Sequence, residues 1–348
     1  MSSIFGIKLL SAEPTSYKIV VGGVDITSRV TPYLLSLAVS LQAGTVSDQA
    51  TIEVDDTNGR IKLPKDGDEA RVSIAGIEVF RGKVNDVSSS GSKSGRKISI
   101  ACTGMDTKGK AKEPRHKHYD KKKVSEILSD AGKYADVQDV KIDSELGNVV
   151  LDYVQQTGES FVHLANRLSI MLGGTFKIMG DKAVMVKRNA GRSASGKPLV
   201  TIRASWGTNL IDWQITPLIG RPRHKAVQAR WYDTKKAKWV TEKADTKDSG
   251  ATATSTVRYH SGGEEEAKSR SKADSAEADR NKGDGTITID GDARAQPEAK
   301  CILAGARAGI DGQYLIDGVE HKLDRGGGFT TSLKLKYPSG GAGSDGRN

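Results

Sequence analysis

From residue 17 to 104 apolar and polar positions alternate in short runs, the pattern of strands with one buried face. Ile19-Val20-Val21 and Val24-Asp25-Ile26 flank Gly22-Gly23, and Val72-Ser73-Ile74 and Ile77-Glu78-Val79-Phe80 flank Ala75-Gly76, two tight-hairpin signals. Five or six antiparallel strands are predicted, enough for a small barrel or sandwich. After Gly109 the period changes. Val124, Ile127, Leu128, Ala131 and Tyr134 recur at helical spacing, with Asp120 as the expected cap. Phe161, Leu164, Ala165, Leu168 and Leu172 mark a second helix over about 159–172, stopped by Gly173-Gly174. A hairpin follows, Thr175 to Ile178 and Ala183 to Val186 around a Gly180-Asp181 turn. Alternation resumes near Leu199.

The two alternating regions read as copies of one β-unit. Leu37-Ala38-Val39 and Ala50 to Asp56 match Trp213-Gln214-Ile215 and Ala226 to Tyr232, the second copy having a loop one residue shorter. Phe80 to Val84 and Lys97 to Ile100 stand at the same separation as Leu315 to Val319 and Ser332 to Leu335. This puts Val84/Val319, Ile98/Leu333 and Ile100/Leu335 in one register, with Gly82 and Gly318 one place out. Three chains with two such units each present six similar units in a ring, a route to matching a six-fold partner.

The expected fold class is α+β, mainly β: two similar small antiparallel β-barrel domains with an inserted α+β domain. The expected limits are 1–109 for the first barrel, 110–190 for the insert and 191–338 for the second barrel, with a flexible tail at 339–348. Arg188 to Lys197 is a polar Gly/Ser linker. A polar helical and strand insertion, about 234–294, interrupts the second barrel. Within it Glu264 to Arg280 is helix-prone but almost without an apolar stripe, so a helix there is expected to be exposed or to pack on another chain. Thr286 to Ile289 reads as a short strand.

Composition narrows the function. Hydrophobic residues make up 36% and aromatic residues 5%, low for one thick core, while 39 glycines suit many turns. No run of about 18 apolar residues exists to span a membrane. Met1-Ser2-Ser3-Ile4-Phe5 lacks the basic then apolar order of a secretory signal. Cys102 and Cys301 sit among apolar or small residues and are expected to be core thiols. A net charge of +10 admits a polyanion, and Lys108 to Lys123 is a basic run, read first as a solvated face and second as a nucleic-acid contact.

Catalytic and ligand signals fail in their details. Gly104 to Ala111 is one residue from a phosphate-binding loop, but Ala111 replaces the magnesium-binding hydroxyl and Pro114 would break the following helix. His116 and His118 have no third metal ligand nearby, and Asp284, Asp290 and Asp292 lack calcium-loop spacing. His163 and His321 read as packing or surface residues. The expectation is no catalytic, cofactor-binding or metal-binding residue, no cofactor and no enzyme.

Asp152 to Leu168 contains Gln155-x-x-x-Glu159-Ser160-x-x-x-Leu164-Ala165-x-Arg167-Leu168, and the second unit closes with Tyr314-Leu315-x-x-Gly318-Val319-x-His321, a Gly-rich turn and Phe329 to Leu335. With this order of parts the chain resembles the phage late-control D family, the baseplate hub proteins of contractile tails, and is similar to the N-terminal part of the VgrG spike proteins of type VI secretion. The resemblance covers roughly residues 15–338. One departure is Phe161, where the family often has Asp after Glu-Ser; a second is the long polar segment. The resemblance implies a homotrimeric, pseudo-six-fold hub in the virion tail baseplate, assembled in the bacterial host cytoplasm. It would adapt a hexameric tail tube to a trimeric central spike, beside other baseplate proteins, and let DNA and the tape-measure protein pass. The chain stops soon after Pro338, so a separate spike protein is expected, and the barrel edges are the expected sites of strand-to-strand assembly. The polar sequence implies weak self-association of the isolated chain. The alternatives are a hub of a phage-derived protein-delivery particle or secretion system, and a tail-associated peptidoglycan hydrolase.

Overall fold

The computed structural model describes residues 15–347 except 45–46, 94, 107, 180, 194–196, 220–222 and 249. Met1 to Phe5, Gly180 of the expected turn, part of the Gly/Ser linker and Asn348 lie outside the described residues. The first region forms β1 (Tyr17–Val21), β2 (Val24–Asp25), a helical turn α1 (Thr27–Val30), β3 (Leu34–Gln42), β4 (Gln49–Asp55), β5 (Glu69–Ile74), β6 (Ile77–Ser92) and β7 (Gly95–Thr103). Both expected hairpins form: Val21 faces Val24 and Ile74 faces Ile77. Their turn residues Gly22, Gly23, Ala75 and Gly76 all take positive φ, the twist that two-residue hairpins require. Alternation is realised as burial: Leu37 and Val39, Ile52 and Val54, and Ile98 and Ile100 all point into one core.

The middle region forms β8 (Arg115–Lys123), α2 (Val124–Tyr134), β9 (Asp139–Ile142), α3 (Ser144–Gly147), β10 (Val150–Glu159), α4 (Phe161–Met171), β11 (Gly174–Met179) and β12 (Lys182–Lys187). Its buried residues, Met105 to Met185, form a core cluster of their own. Asp120 does not cap α2: it lies within β8, and the N-cap position is Lys123, whose side chain makes no cap bond. The strand runs straight into the helix, so the first turn is held by the Val124 amide donating to Val149 O. At α4, Ser160 caps by accepting from the His163 amide. Phe161, the departure from the family pattern, is buried and meets Phe176 edge to face at 5.8 Å.

The last region forms β13 (Ile202–Ser205), β14 (Leu210–Thr216), β15 (Ala226–Asp233), β16 (Lys238–Asp245), β17 (Thr254–Thr256), α5 (Glu264–Arg280), β18 (Asp284–Asp290), β19 (Lys300–Ala304), β20 (Gly312–Asp324) and β21 (Gly328–Ser339). Strands of the first and last regions join in one 13-stranded sheet, in the order β14-β18-β21-β20-β3-β4-β7-β6-β5-β1-β2, with β19 beside β20 and β13 beside β19. The protein is thus mainly β, and one apolar cluster draws on both regions. Among the described residues the sheet is an open path rather than the two closed barrels expected.

Three expectations change. First, β15 does not pair with β14; it forms a separate three-stranded sheet with β16 and β17. Ala226 to Tyr232 is therefore not the counterpart of Ala50 to Asp56. That counterpart is β18, expected to be part of the insertion but seated between β14 and β21 as β4 is between β3 and β7. Second, α5 packs on its own chain, across β15 and β16. Ala267, Ser271, Ser275 and Asp279, four residues apart, are all buried. Small side chains at this spacing form a stripe that lets strands approach closely, and it carries little hydrophobic signal. Third, residues after Ser339 fold back: Ala342 packs on the large core and the Gly343 amide donates to Gly309 O.

A buried charge fastens α5 to the sheet. Arg280 is 1% exposed and contacts Asp317 of β20 at 2.8 Å and Glu298 at 3.1 Å. It also donates to the Asn189 side chain, and Asn189 in turn donates its amide to Glu298. Burial works against the guanidinium's charge, but the two carboxylates outweigh it and hold its pKa above the ordinary value.

Candidate assembly site

The joint between the two β-units is made by the C-terminal half of β20, whose residues Gly318 to Asp324 lie opposite Gln42 to Ser36 of β3. The N-terminal half of β20 pairs instead with β19, and a register shift against β21 between Ile316 and Gly318 separates the two halves. The bulge re-aims the strand so that one element serves two neighbours. The Tyr314-Leu315-x-x-Gly318-Val319-x-His321 signature spans the bulge, with Tyr314 and Leu315 against β19 and Gly318 to His321 in the joint. Tyr314 is buried and donates to Ile310 O at 2.6 Å. Gly318 faces Gln42 at the first pair of the joint. His321 is fully buried between Val39 and Thr331, its Nδ1 3.1 Å from Thr331 Oγ1. Burial pushes its pKa down to about 4.

β6 has the same construction. Its N-terminal half pairs with β5, and its register against β7 shifts between Val84 and Asp86. Matching the bulges aligns Val84 with Ile316 and Val87 with Val319. The row Leu37–Ile52–Ile100–Val87 then corresponds to Trp213–Ile287–Leu333–Val319. Leu37/Trp213 and Val39/Ile215 stand as expected, but Leu333 matches Ile100 rather than Ile98, and Val319 matches Val87 rather than Val84. The β6–β7 hairpin runs on to Ser92 and Gly95, so equal spacing along the chain did not mean equal cross-strand partners.

The correspondence leaves two strand edges without a neighbour among the described residues. Residues Asp86 to Gly91 of β6, the counterpart of the β20 joint, pair only with β7. β14, the counterpart of β3, is laddered only to β18, with one isolated bridge from its first residue Leu210 to Trp206. Beside the β14 edge stand exposed apolar side chains: Ile211, Leu218, and Trp206, whose ring meets Trp213 edge to face at 4.9 Å. An exposed strand edge with apolar flanks is a template for pairing with another chain.

Of the residues considered for chemistry, Asp284 lies beside an edge strand, opposite Thr216 of β14, and most of the others have structural partners of their own. Arg115, Lys117 and Tyr119, alternate residues of β8, converge on Asp130 of α2 at 3.3, 2.7 and 2.9 Å. Burial raises the Asp130 carboxyl, but Lys117 and Tyr119 outweigh it and hold the pKa below the usual range. Lys108 pairs with Asp66, Lys110 with Asp136 and Lys122 with Glu126. Five of the eight cations of the basic run are thus paired, while Lys112, Lys121 and Lys123 are exposed and have no ion pair among the described residues. Ala111 is buried in a short 3-10 turn, so Gly104 to Ala111 opens no long helix; Thr107 of that stretch lies outside the described residues. His116 and His118 face outward on β8, His118 stacked on Tyr153. Asp292 is tied to Arg294, while Asp284 and Asp290 end β18. His163 stands in the first turn of α4. Cys102 and Cys301 are free and buried, and burial pushes both thiols up to about 12.

A family profile described as phage tail baseplate hub (GPD) matches residues 47–327. A probable baseplate hub protein of Escherichia phage 186 is 25% identical over 221 residues, 62% of this chain and 55% of that protein. The chain thus aligns with little more than half the length of that relative. Among solved structures, a tail protein from Neisseria meningitidis MC58 superposes with a TM-score of 0.69 at 16% identity, covering 93% of this chain and 96% of that one. An Escherichia coli protein described as a type VI secretion component, similar to the T4 tail proteins gp27 and gp5, gives 0.55 at 12% identity, covering 95% and 79%. At such identities the likeness to solved structures concerns the fold.

Proposed function

Because the chain belongs to the phage tail baseplate hub (GPD) family, we propose that it is the structural hub of a contractile tail, three copies closing head to tail into a ring of six similar β-units. The observation that carries this reading is the pair of complementary open edges. Within one chain the β20 edge of one unit meets the β3 edge of the other. Carrying the same register across chains sets Ser88 opposite Thr216 and Ser90 opposite Gln214 of the next copy. Each junction then repeats the one inside the chain, and three chains leave neither of these two edges open, as closed heterologous symmetry demands.

In this reading residues 1–109 and 191–338 are the ring-forming domains and 110–190 an inserted domain, which its separate core supports. One side of the ring meets the hexameric tail tube and the other a trimeric central spike, with other baseplate proteins around it. The tape-measure protein and DNA pass through the bore. The work is rigid docking rather than turnover, carried out in the virion baseplate after assembly in the host cytoplasm. The test is mass in solution by light scattering after size exclusion, with and without the cognate spike protein. A mass three times the chain's 37.2 kDa in either condition is expected. A strict monomer in both overturns the ring.

A further inference from the structure

The small sheet of β15, β16 and β17 has one face closed and one open. Val227 and Ala229 are buried on the side that α5 covers. The residues that alternate with them, Arg230 and Tyr232, are exposed, as are the facing Trp239 and the neighbouring Arg258, Tyr259 and His260. Arg230, Tyr232, Trp239 and His260 already form one packed group, and Arg258 and Tyr259 form a pair beside it. Tyr232 meets Trp239 edge to face at 5.3 Å, and His260 lies 4.4 Å from the same indole. Arg230 stands over that ring at 5.5 Å, and Arg258 over Tyr259 at 5.5 Å. Lys235 and Lys238 add exposed positive charge at the hairpin end. The adjacent carboxylate is turned inward, since Asp233 is buried, accepts from the Lys235 and Lys236 amides and pairs with Lys236.

We propose that this face is a docking surface for an acidic protein segment. Tyr, Trp and Arg are the residues that dominate protein interfaces, and cations surrounding the indole select an acidic partner by charge complementarity. The geometry disfavours stacked nucleobases. Base stacking needs an open aromatic face, and Trp239 already has Arg230 over its ring and His260 close beside it. The surface lies on a different sheet from the open strand edges, so its role does not depend on ring closure.

The test uses the full chain and two labelled probes, a random copolymer of Glu and Tyr and a thymidine 20-mer, followed by fluorescence anisotropy at low and high salt. The copolymer is expected to bind, to weaken with salt, and to lose at least about tenfold in affinity in the Arg230→Glu/Trp239→Ala variant, as removal of an interface anchor does. An Arg230→Lys variant that keeps the charge should retain most of the binding. The substituted side chains are exposed, and an unchanged thermal melt of each variant establishes that the fold is intact. Failure of the copolymer to bind, equal binding by a correctly folded Arg230→Glu/Trp239→Ala variant, or tighter binding of the thymidine 20-mer would each overturn the proposal, the last in favour of nucleic acid.

Discussion

At the scale of single residues, the joint between the two β-units rests on a neutral histidine. His321 has an ordinary pKa of 6.5 and a buried one near 4, because a charged imidazole would have to be formed away from water. Between those values the unfolded chain binds a proton that the folded chain does not. Stability therefore falls as pH drops from 6.5 toward 4, by up to about 3 kcal/mol. Urea melts across that window should show the loss, and His321→Asn should flatten the slope; an unchanged slope would mean that His321 titrates freely in the fold. Arg280 is the opposite case, a buried charge kept because Asp317 and Glu298 neutralise it. Neither role is visible in sequence. An arginine at the end of a polar run reads as surface, and only the bulge at Asp317 brings its partner beneath it.

At the scale of elements, segments with strong periodicity folded as read, and weakly patterned ones were decided by their surroundings. Val124, Ile127, Leu128 and Ala131 of α2 are buried as their spacing predicts. The Glu159-Ser160 signature forms a self-braced corner: Arg167 holds Glu159 at 2.8 Å and donates to Gln155 O, while Ser160 caps α4. Helix α5 stands where its helix-prone run was read, but its packing on its own chain escaped the reading because its buried stripe is Ala267, Ser271 and Ser275, which hydropathy barely distinguishes from its exposed face. Ser271 is 2% exposed beneath the small sheet. Ser271→Leu should overpack that contact and destabilise by about 1–3 kcal/mol, whereas Lys272→Leu, on the exposed face, should change little. Equal denaturation midpoints for the two variants would argue against close packing of α5.

At the scale of the whole molecule, two open edges and one closed joint of the same design argue for a ring. Ile211 and Leu218 are 47% and 61% exposed beside β14. Lysine at both positions should disrupt assembly through like charge and lost apolar contact while leaving the protomer's melting temperature unchanged. Light scattering on this double variant beside the parent chain decides the point; a trimer of unaltered affinity would place the interface elsewhere.

The sequence alone determined that the protein is mainly β and which family it resembles, and it raised the expectation of a β-repeat interrupted by an α+β segment. These rest on local patterns: alternation, helical spacing, turn glycines and two short signatures. The tertiary structure alone decided which strands correspond, that β18 and not β15 completes the second unit, and that both units share one sheet. Strand pairing joins residues hundreds of positions apart, and a bulge shifts register without changing the spacing along the chain. A repeat could therefore be expected from residues, but the register of its strands, and with it the two edges on which the proposed ring rests, appeared only once the strands were paired.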